Sequence, residues 1–242
     1  MKKVILLLLV SVSFTGLKAQ KIGDIIKNAT GVATGVVNGS GQTVGNDEIV
    51  KGLKEALSVG VNKAGTSASK ADGFNKNSLI KIPFPPEAKQ METTLKSMGM
   101  TTQVNKFTET LNRAAEKAAK DAAPIFLKAI TSMSLTDGIS ILKGGDNAAT
   151  KFLQDKTTTE LKGKFMPVVV AALKSVQITK YWNPLATTYN KVPMAKKVNP
   201  NLEDYVTIKA IEGLFKLVGQ EETKIRKDPA SRVSDLLKKV FG

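Results

Sequence analysis

An all-α fold, an irregular multi-helix bundle around a central Ala-rich helix, is what this sequence predicts, and three observations carry it. Apolar residues recur at steps of three and four through most of the chain, which places them on single helical faces. No stretch sustains the alternation of a half-buried strand. Ala, Leu and Lys, all good helix formers, are abundant, while aromatics are only 5%. The clearest stretch runs over residues 104–133, with Val104, Phe107, Leu111, Ala115, Ala118, Ala122, Ile125, Ala129 and Met133 on one face. Its alanines let partner helices approach closely, and Asn112, Arg113 and Glu116 lie on its flank.

The chain opens with Lys2 and Lys3, an apolar run over residues 4–12, and then Leu17-Lys18-Ala19-Gln20. A basic start, a short apolar core and a small residue before the cut predict a secretory signal peptide over residues 1–19. The run is too short to span a bilayer, which takes roughly 20 residues. Export to a bacterial periplasm or cell exterior follows. Removing Lys2, Lys3 and Lys18 takes the formal charge from +15 to +12, so the mature chain stays basic.

Residues 20–46 hold Gly31, Gly35, Gly39, Gly41 and Gly45. Glycine is costly inside a soluble helix, and Asp24, Lys27 and Asn28 interrupt any apolar span, so a frayed helix leading into a flexible linker is predicted. A single helical domain over residues 47–242 follows. Its first helix spans residues 47–64, with Asn46 as cap, Ile49, Leu53, Leu57 and Val61 as stripe, and Gly65 as stop. The next connection holds Ser67-Ala-Ser-Lys70, the Ser-x-x-Lys spacing of penicillin-binding enzymes. Neither Ser-Asp-Asn nor Lys-Thr-Gly follows it, and chance explains the match.

Ile80-Lys-Ile-Pro-Phe-Pro-Pro86 is extended, because each proline pushes its predecessor out of the helical region. A short helix over residues 87–98 turns Met91, Leu95 and Met98 inward and stops at Gly99. The central helix comes next, with Pro124 on its polar side as a point of kinking or splitting. Ser134 and Thr136 cap a helix to residue 142, closed by Gly144-Gly145; Asp146 caps a further turn around Ala149, Phe152 and Leu153. A separate helix over residues 158–176 carries Leu161, Phe165, Val168, Val169, Ala172 and Val176, with Pro167 outward.

Tyr181-Trp182-Asn183-Pro184 holds the only tryptophan and is placed between two helices, with Tyr189 beyond. An apolar body with a polar tip suits a domain corner or a ligand pocket, and the corner is the simpler reading. On the helix over residues 202–225, Ile208, Ile211, Leu214, Phe215 and Val218 define one face, with Asp204 and Glu222 on it near the ends. Arg226 follows Glu222 by four residues. Carboxylates on an apolar stripe need partners. Helix capping by Asp204 and pairing of Glu222 with Arg226 supply them; the alternative is convergence with Asn112, Arg113 and Glu116 in one polar cluster. Asp228-Pro229 starts a last helix carrying Val233, Leu236, Leu237, Val240 and Phe241.

Absences narrow the chemistry. Without Cys or His there is no disulfide, thiol nucleophile, Ser-His-Asp triad or Cys/His metal site. No catalytic residue, metal or cofactor is predicted. Arg113, Arg226 and Arg232 are the only arginines, and lysines are spread over every helix, so sequence-specific nucleic-acid binding is not expected. A diffuse basic surface favours anionic envelope lipid or polysaccharide.

Several short motifs together resemble a known family. They are Gly52-Leu-Lys-Glu-Ala-Leu57, Asp72-Gly-Phe74 with Ile82-Pro-Phe-Pro85, and Asn112-Arg-Ala-Ala-Glu116. Ala148-Ala-Thr150, Tyr181-Trp-Asn183, Asp204-Tyr205 and Leu236-Leu-Lys-Lys-Val-Phe-Gly242 complete the set. Over residues 47–242 the chain is similar to the bacterial domain-of-unknown-function family numbered 4197, in which Tyr is more usual at the position of Trp182. The resemblance implies an exported, mainly helical protein and supplies no activity. The sequence therefore predicts a non-enzymatic binding or scaffold protein of the cell envelope. The alternative is a small-ligand receptor or enzyme using Asn112, Arg113, Glu116, Tyr181, Trp182, Asn183, Asp204, Glu222 and Arg226 around a pocket.

Overall fold

The computed structural model describes residues 35–37, 43–175, 178–195, 197, 202–232 and 238. The fold is all-α. Two short strands precede the helices: β1 (Gly35–Val37) pairs antiparallel with β2 (Thr43–Gly45), Val36 opposite Val44. Three residues per strand are too few to show an alternating pattern, which is why residues 20–46 read as helix and linker. The predicted signal peptide and the terminal apolar residues Val233, Leu236, Leu237, Val240 and Phe241 lie outside the described residues.

Helix α1 (Asn46–Ser69) is longer than its sequence signals predict. Gly45, not Asn46, is its cap, and no side chain bonds there. The helix runs through Gly65, where an added Cβ would lie 3.5 Å from the Ala123 side chain, and carries Ser67 to Ser69 as its last turn. A 3-10 turn (Pro86–Ala88) leads into α2 (Lys89–Ser97), which buries Met91 and Leu95. Met98 instead lies on the surface, past the end of the helix, where Gly99 turns the chain with a φ of +82°.

The central stretch is broken where proline chemistry requires it. Helix α3 (Thr101–Ala118) and helix α4 (Ala122–Thr131) are joined by a 3-10 turn (Ala119–Asp121). Pro124 has no N–H to donate back to the carbonyl of Lys120, so the α-ladder tightens there. The alanines persist through the break: Ala114, Ala115, Ala118, Ala119 and Ala122 are all buried. Helix α5 (Leu135–Lys143) starts on a capping box, in which Ser134 and Asp137 satisfy each other's backbone N–H groups.

Helix α6 (Ala148–Ser175) is continuous where two helices were expected. Pro167 is exposed on its outer side, as predicted. Helix α7 (Ile178–Tyr189) contains Tyr181 to Pro184, so this motif sits within a helix rather than between two. Helix α8 (Leu202–Lys227) pairs with α6 in the most extensive helix contact, and a 3-10 turn (Pro229–Ser231) follows. Of the predicted face, Ile211, Leu214, Phe215 and Val218 are buried, together with Leu202, Val206, Ala210 and Leu217, whereas Ile208 is exposed. Helix α3 touches α1, α2, α6, α7 and α8, and one apolar cluster takes in buried residues from every helix described.

Candidate functional site: two polar clusters on α3 and α8

The segment between α1 and α2 forms hydrogen-bonded turns over residues 70–81 that leave the N–H groups of Phe74 and Asn75 unpaired, then runs extended, and it buries Phe74, Ile80, Ile82 and Phe84. Buried backbone groups need partners. Helix α3 supplies them. The Asn112 amide, fully buried, accepts from the Ile82 N–H at 2.8 Å through Oδ1 and donates to the Ile82 carbonyl at 2.9 Å through Nδ2. One side chain thus makes the two bonds that a neighbouring strand would make. Nδ2 also donates to the Thr108 carbonyl at 2.8 Å, which fixes the rotamer along the helix.

One turn further on, Glu116 Oε1 accepts from the N–H groups of Phe74 and Asn75 at 3.1 and 3.2 Å. Its Oε2 accepts from Arg113 at 2.8 Å. The second arm of the Arg113 fork reaches Asp72 Oδ1 at 2.7 Å. Asp72 is in the left-handed region, with φ of +64°, and also pairs with Lys76 at 2.9 Å. The Lys76 ammonium, with Asn75 and Arg113, holds the Asp72 carboxyl down at about 2. Arg113 is held charged by Glu116 and Asp72. Gly73 is dictated by closeness rather than charge: a Cβ there would lie 2.4 Å from the Ser67 carbonyl oxygen. The turn is thereby seated on the last turn of α1, and Phe74 lies against Gly213 of α8.

Trp182 belongs to this region through packing. Its ring lies 4.8 Å from Phe107 and 6.1 Å from Phe84, centroid to centroid, and Phe84 lies 5.0 Å from Phe107. The trio locks the extended segment onto α3 and α7 and contributes about 0.5–1.5 kcal/mol per pair beyond burial. Trp182 is therefore a core anchor, whereas Asn183 is exposed. The Tyr181 side chain lies outside the described residues.

The second cluster is built by α8. Glu222, only 4% exposed, accepts from the N–H groups of Ala149 and Thr150 at 3.0 and 2.8 Å and from the Thr150 hydroxyl at 2.7 Å. A carboxylate from another helix thus caps the positive end of α6, which favours negative charge there. Arg226 donates to Glu222 at 2.9 Å, and its other arm donates to the Ile141 carbonyl at 3.0 Å in the last turn of α5. Asp204 joins neither cluster and pairs with Lys162 on α6 at 2.9 Å.

The predicted site residues therefore do not converge. Asn112, Arg113 and Glu116 bind residues 72–82, whereas Glu222 and Arg226 bind the facing ends of α6 and α5. Among the described residues, no buried side-chain nitrogen or oxygen lacks a hydrogen-bond partner, and no group of carboxylates could hold a metal ion. Asn112, Glu116 and Glu222 each bond backbone groups of the chain itself. The sequence reading missed Asp72 and Thr150 as partners. Both lie in short motifs that carry the family resemblance, but nothing local links Asp72 to Arg113 or Thr150 to Glu222 across so many residues.

No curated protein and no solved structure matches this chain. Residues 43–242 match a family described as Protein of unknown function (DUF4197), so the match begins at the second strand and takes in every helix described above. The two polar clusters, the aromatic trio and the helices that carry them all fall within it, and the chain belongs to this family of unknown function.

Proposed function

We propose that this protein is an exported, non-enzymatic binding or scaffold protein of the bacterial cell envelope, whose basic surface engages anionic lipid or polysaccharide. The observation that supports this reading most is a contrast between inside and outside. The buried polar groups among the described residues are satisfied within the chain. Outside, Lys63, Lys81, Lys120, Lys164 and Lys174 are exposed, and among the described residues none has a carboxylate within ion-pair distance. With a formal charge of +12 once residues 1–19 are removed (15 − 3), such a surface attracts anionic polymers through long-range, salt-screened forces. No helix among the described residues is by itself long and apolar enough to cross a membrane. Export rests on the N-terminal sequence pattern.

Two measurements test the proposal. Protein recovered from the producing cell should have the mass of a chain beginning at about Gln20, in the periplasmic or culture fraction. A mass retaining residues 1–19 in the cytoplasmic fraction would end the export reading. Purified protein should sediment with phosphatidylglycerol-containing vesicles or bind acidic polysaccharide at low salt and release at high salt. Absence of retention on either at low salt would count against the surface reading.

A further inference from the structure

The second half of α6 contains the run Phe165-Met-Pro-Val-Val-Val-Ala-Ala-Leu173, with no charged or hydrogen-bonding side chain in it. A helix that is apolar all round is ordinarily covered all round. Here one side is left open. Phe165, Val169, Ala172 and Leu173 are buried in the core, whereas Pro167 and Ala171 are exposed and Val168 and Val170 half-buried. Steps of about three and four residues place Gly163, Pro167, Val170, Ala171 and Lys174 in one outward row. From Gly163 to Lys174 the row is about 17 Å long at 1.5 Å per residue.

Lysines frame it. Lys164 and Lys174 stand near its two ends, exposed and, among the described residues, without a carboxylate in ion-pair distance. The Lys117 ammonium donates to Ser175 Oγ at 2.7 Å, and Lys128 pairs with Glu160 at 3.1 Å, so the end of α3, the 3-10 turn and α4 run beside this half of α6. Lys120 in that turn is exposed, next to the exposed Asp121. Glu160 is already neutralised by Lys128, and Asp204 by Lys162.

This chemistry selects among occupants. Before Lys174 the row offers no hydroxyl, amide or carboxylate to hold a sugar chain, and no aromatic ring for stacking. Its side chains are small, so the large anchors of a tight protein interface are missing. An anionic lipid headgroup layer requires neither. It takes a shallow apolar surface rimmed by lysines, whose stems lie along the acyl boundary while their ammoniums meet phosphate.

We infer that the outer side of α6 from Gly163 to Lys174 is where this protein rests on an anionic bilayer. Pro167, Val170 and Ala171 enter the headgroup boundary, and Lys117, Lys120, Lys164 and Lys174 meet lipid phosphates. The inference rests on the proposed function and deepens it, choosing lipid over polysaccharide and one helix face over the whole lysine surface.

The test uses phosphatidylglycerol-containing vesicles at low salt. The chain has no cysteine, so Ala171→Cys and Gln220→Cys each carry a single polarity-sensitive fluorophore. Gln220 is exposed and follows Gly219, which faces Thr150 at the start of α6, roughly 30 Å along the helix from Ala171. Vesicles should at least double the emission at 171, with a blue shift, and leave the emission at 220 unchanged. Ala171→Glu should weaken vesicle sedimentation at least fivefold, and the charge-matched Gln220→Glu less than twofold. Both replaced residues are exposed, and the labelled pair gives an answer even if Ala171→Glu impairs folding. Equal responses at 171 and 220, or full vesicle affinity in folded Ala171→Glu, would overturn the assignment to α6 while wild-type vesicle binding leaves the diffuse-surface reading standing. Retention on acidic polysaccharide without vesicle binding would do the same. Retention on neither would end both.

Discussion

The clusters on α3 and α8 use the same residue types, an acid and an arginine within one helical turn, but secure different kinds of backbone. The α3 cluster holds a segment with little secondary structure. Its turns leave the N–H groups of Phe74, Asn75 and Ile82 without backbone partners, so Asn112 substitutes for a strand and Glu116 gathers two neighbouring N–H groups. The α8 cluster holds a helix end. There the donors are already aligned by the helix, and Glu222 satisfies two of them while Arg226 ties the end of α5 to the same point. Irregular chain needs several distributed contacts, whereas a helix terminus can depend on a single buried ion pair. Loss of one residue should therefore be more damaging at α8 than at α3.

The largest effect is expected from Glu222→Ala. It strips the two N–H groups of α6 and leaves Arg226, with a side chain only 13% exposed, without its carboxylate. Breaking a buried pair from one side costs about 3–5 kcal/mol, so the thermal midpoint should fall by about 10 °C or more. Asn112→Ala should rank next, at roughly 2–3 kcal/mol, because the Ile82 N–H and carbonyl lose their partner while Glu116 still holds Phe74 and Asn75. Denaturant titrations of the two variants provide the comparison. A larger loss at Asn112 would reverse the proposed order.

Arg113→Lys tests geometry rather than charge. One ammonium cannot reproduce the fork that joins Glu116 to Asp72, and a loss of about 0.5–1 kcal/mol is expected for this partly exposed pair. The smallest effect is set by pH. The Asp72 carboxyl is lowered from 3.8 to about 2, so its contribution is present above pH 3.8 and is lost as pH falls through about 2. The stability difference between the wild type and Asp72→Asn should be constant from pH 7 to 5 and shrink towards zero near pH 2. A difference that grows on acidification would show the wrong sign for this pair.

Much of the helical framework was legible because the apolar spacing of α3, α4 and α8 records burial directly. The legible part ended where distant contacts decide. Gly65 reads as a stop, yet α1 runs on to Ser69, with Gly65 buried against Ala123 of α4. The glycines at 144 and 145 and Asp146 read as breaks, and they do end α5, but the turn around Ala149, capped by Glu222, runs on as the start of a single α6. At the polar clusters, the sequence singled out Asn112, Arg113, Glu116, Glu222 and Arg226 as residues on helix flanks or stripes needing partners. Pairing of Glu222 with Arg226 was readable at a spacing of four. The partners of Asn112 and Glu116 were not, since backbone N–H and carbonyl groups carry no residue-specific signal.

Amide hydrogen exchange at Phe74, Asn75 and Ile82 tests most directly whether the α3 cluster is an internal brace rather than a site awaiting a ligand. Segments that open to bind ligands lie at the low end of local stability. The brace account predicts that these amides, although outside any helix or strand, exchange only on global unfolding, as slowly as the core of α3. It also predicts that Ile82 loses this protection in Asn112→Ala. Rapid exchange of all three amides in the native protein, with the α3 core protected, would contradict it.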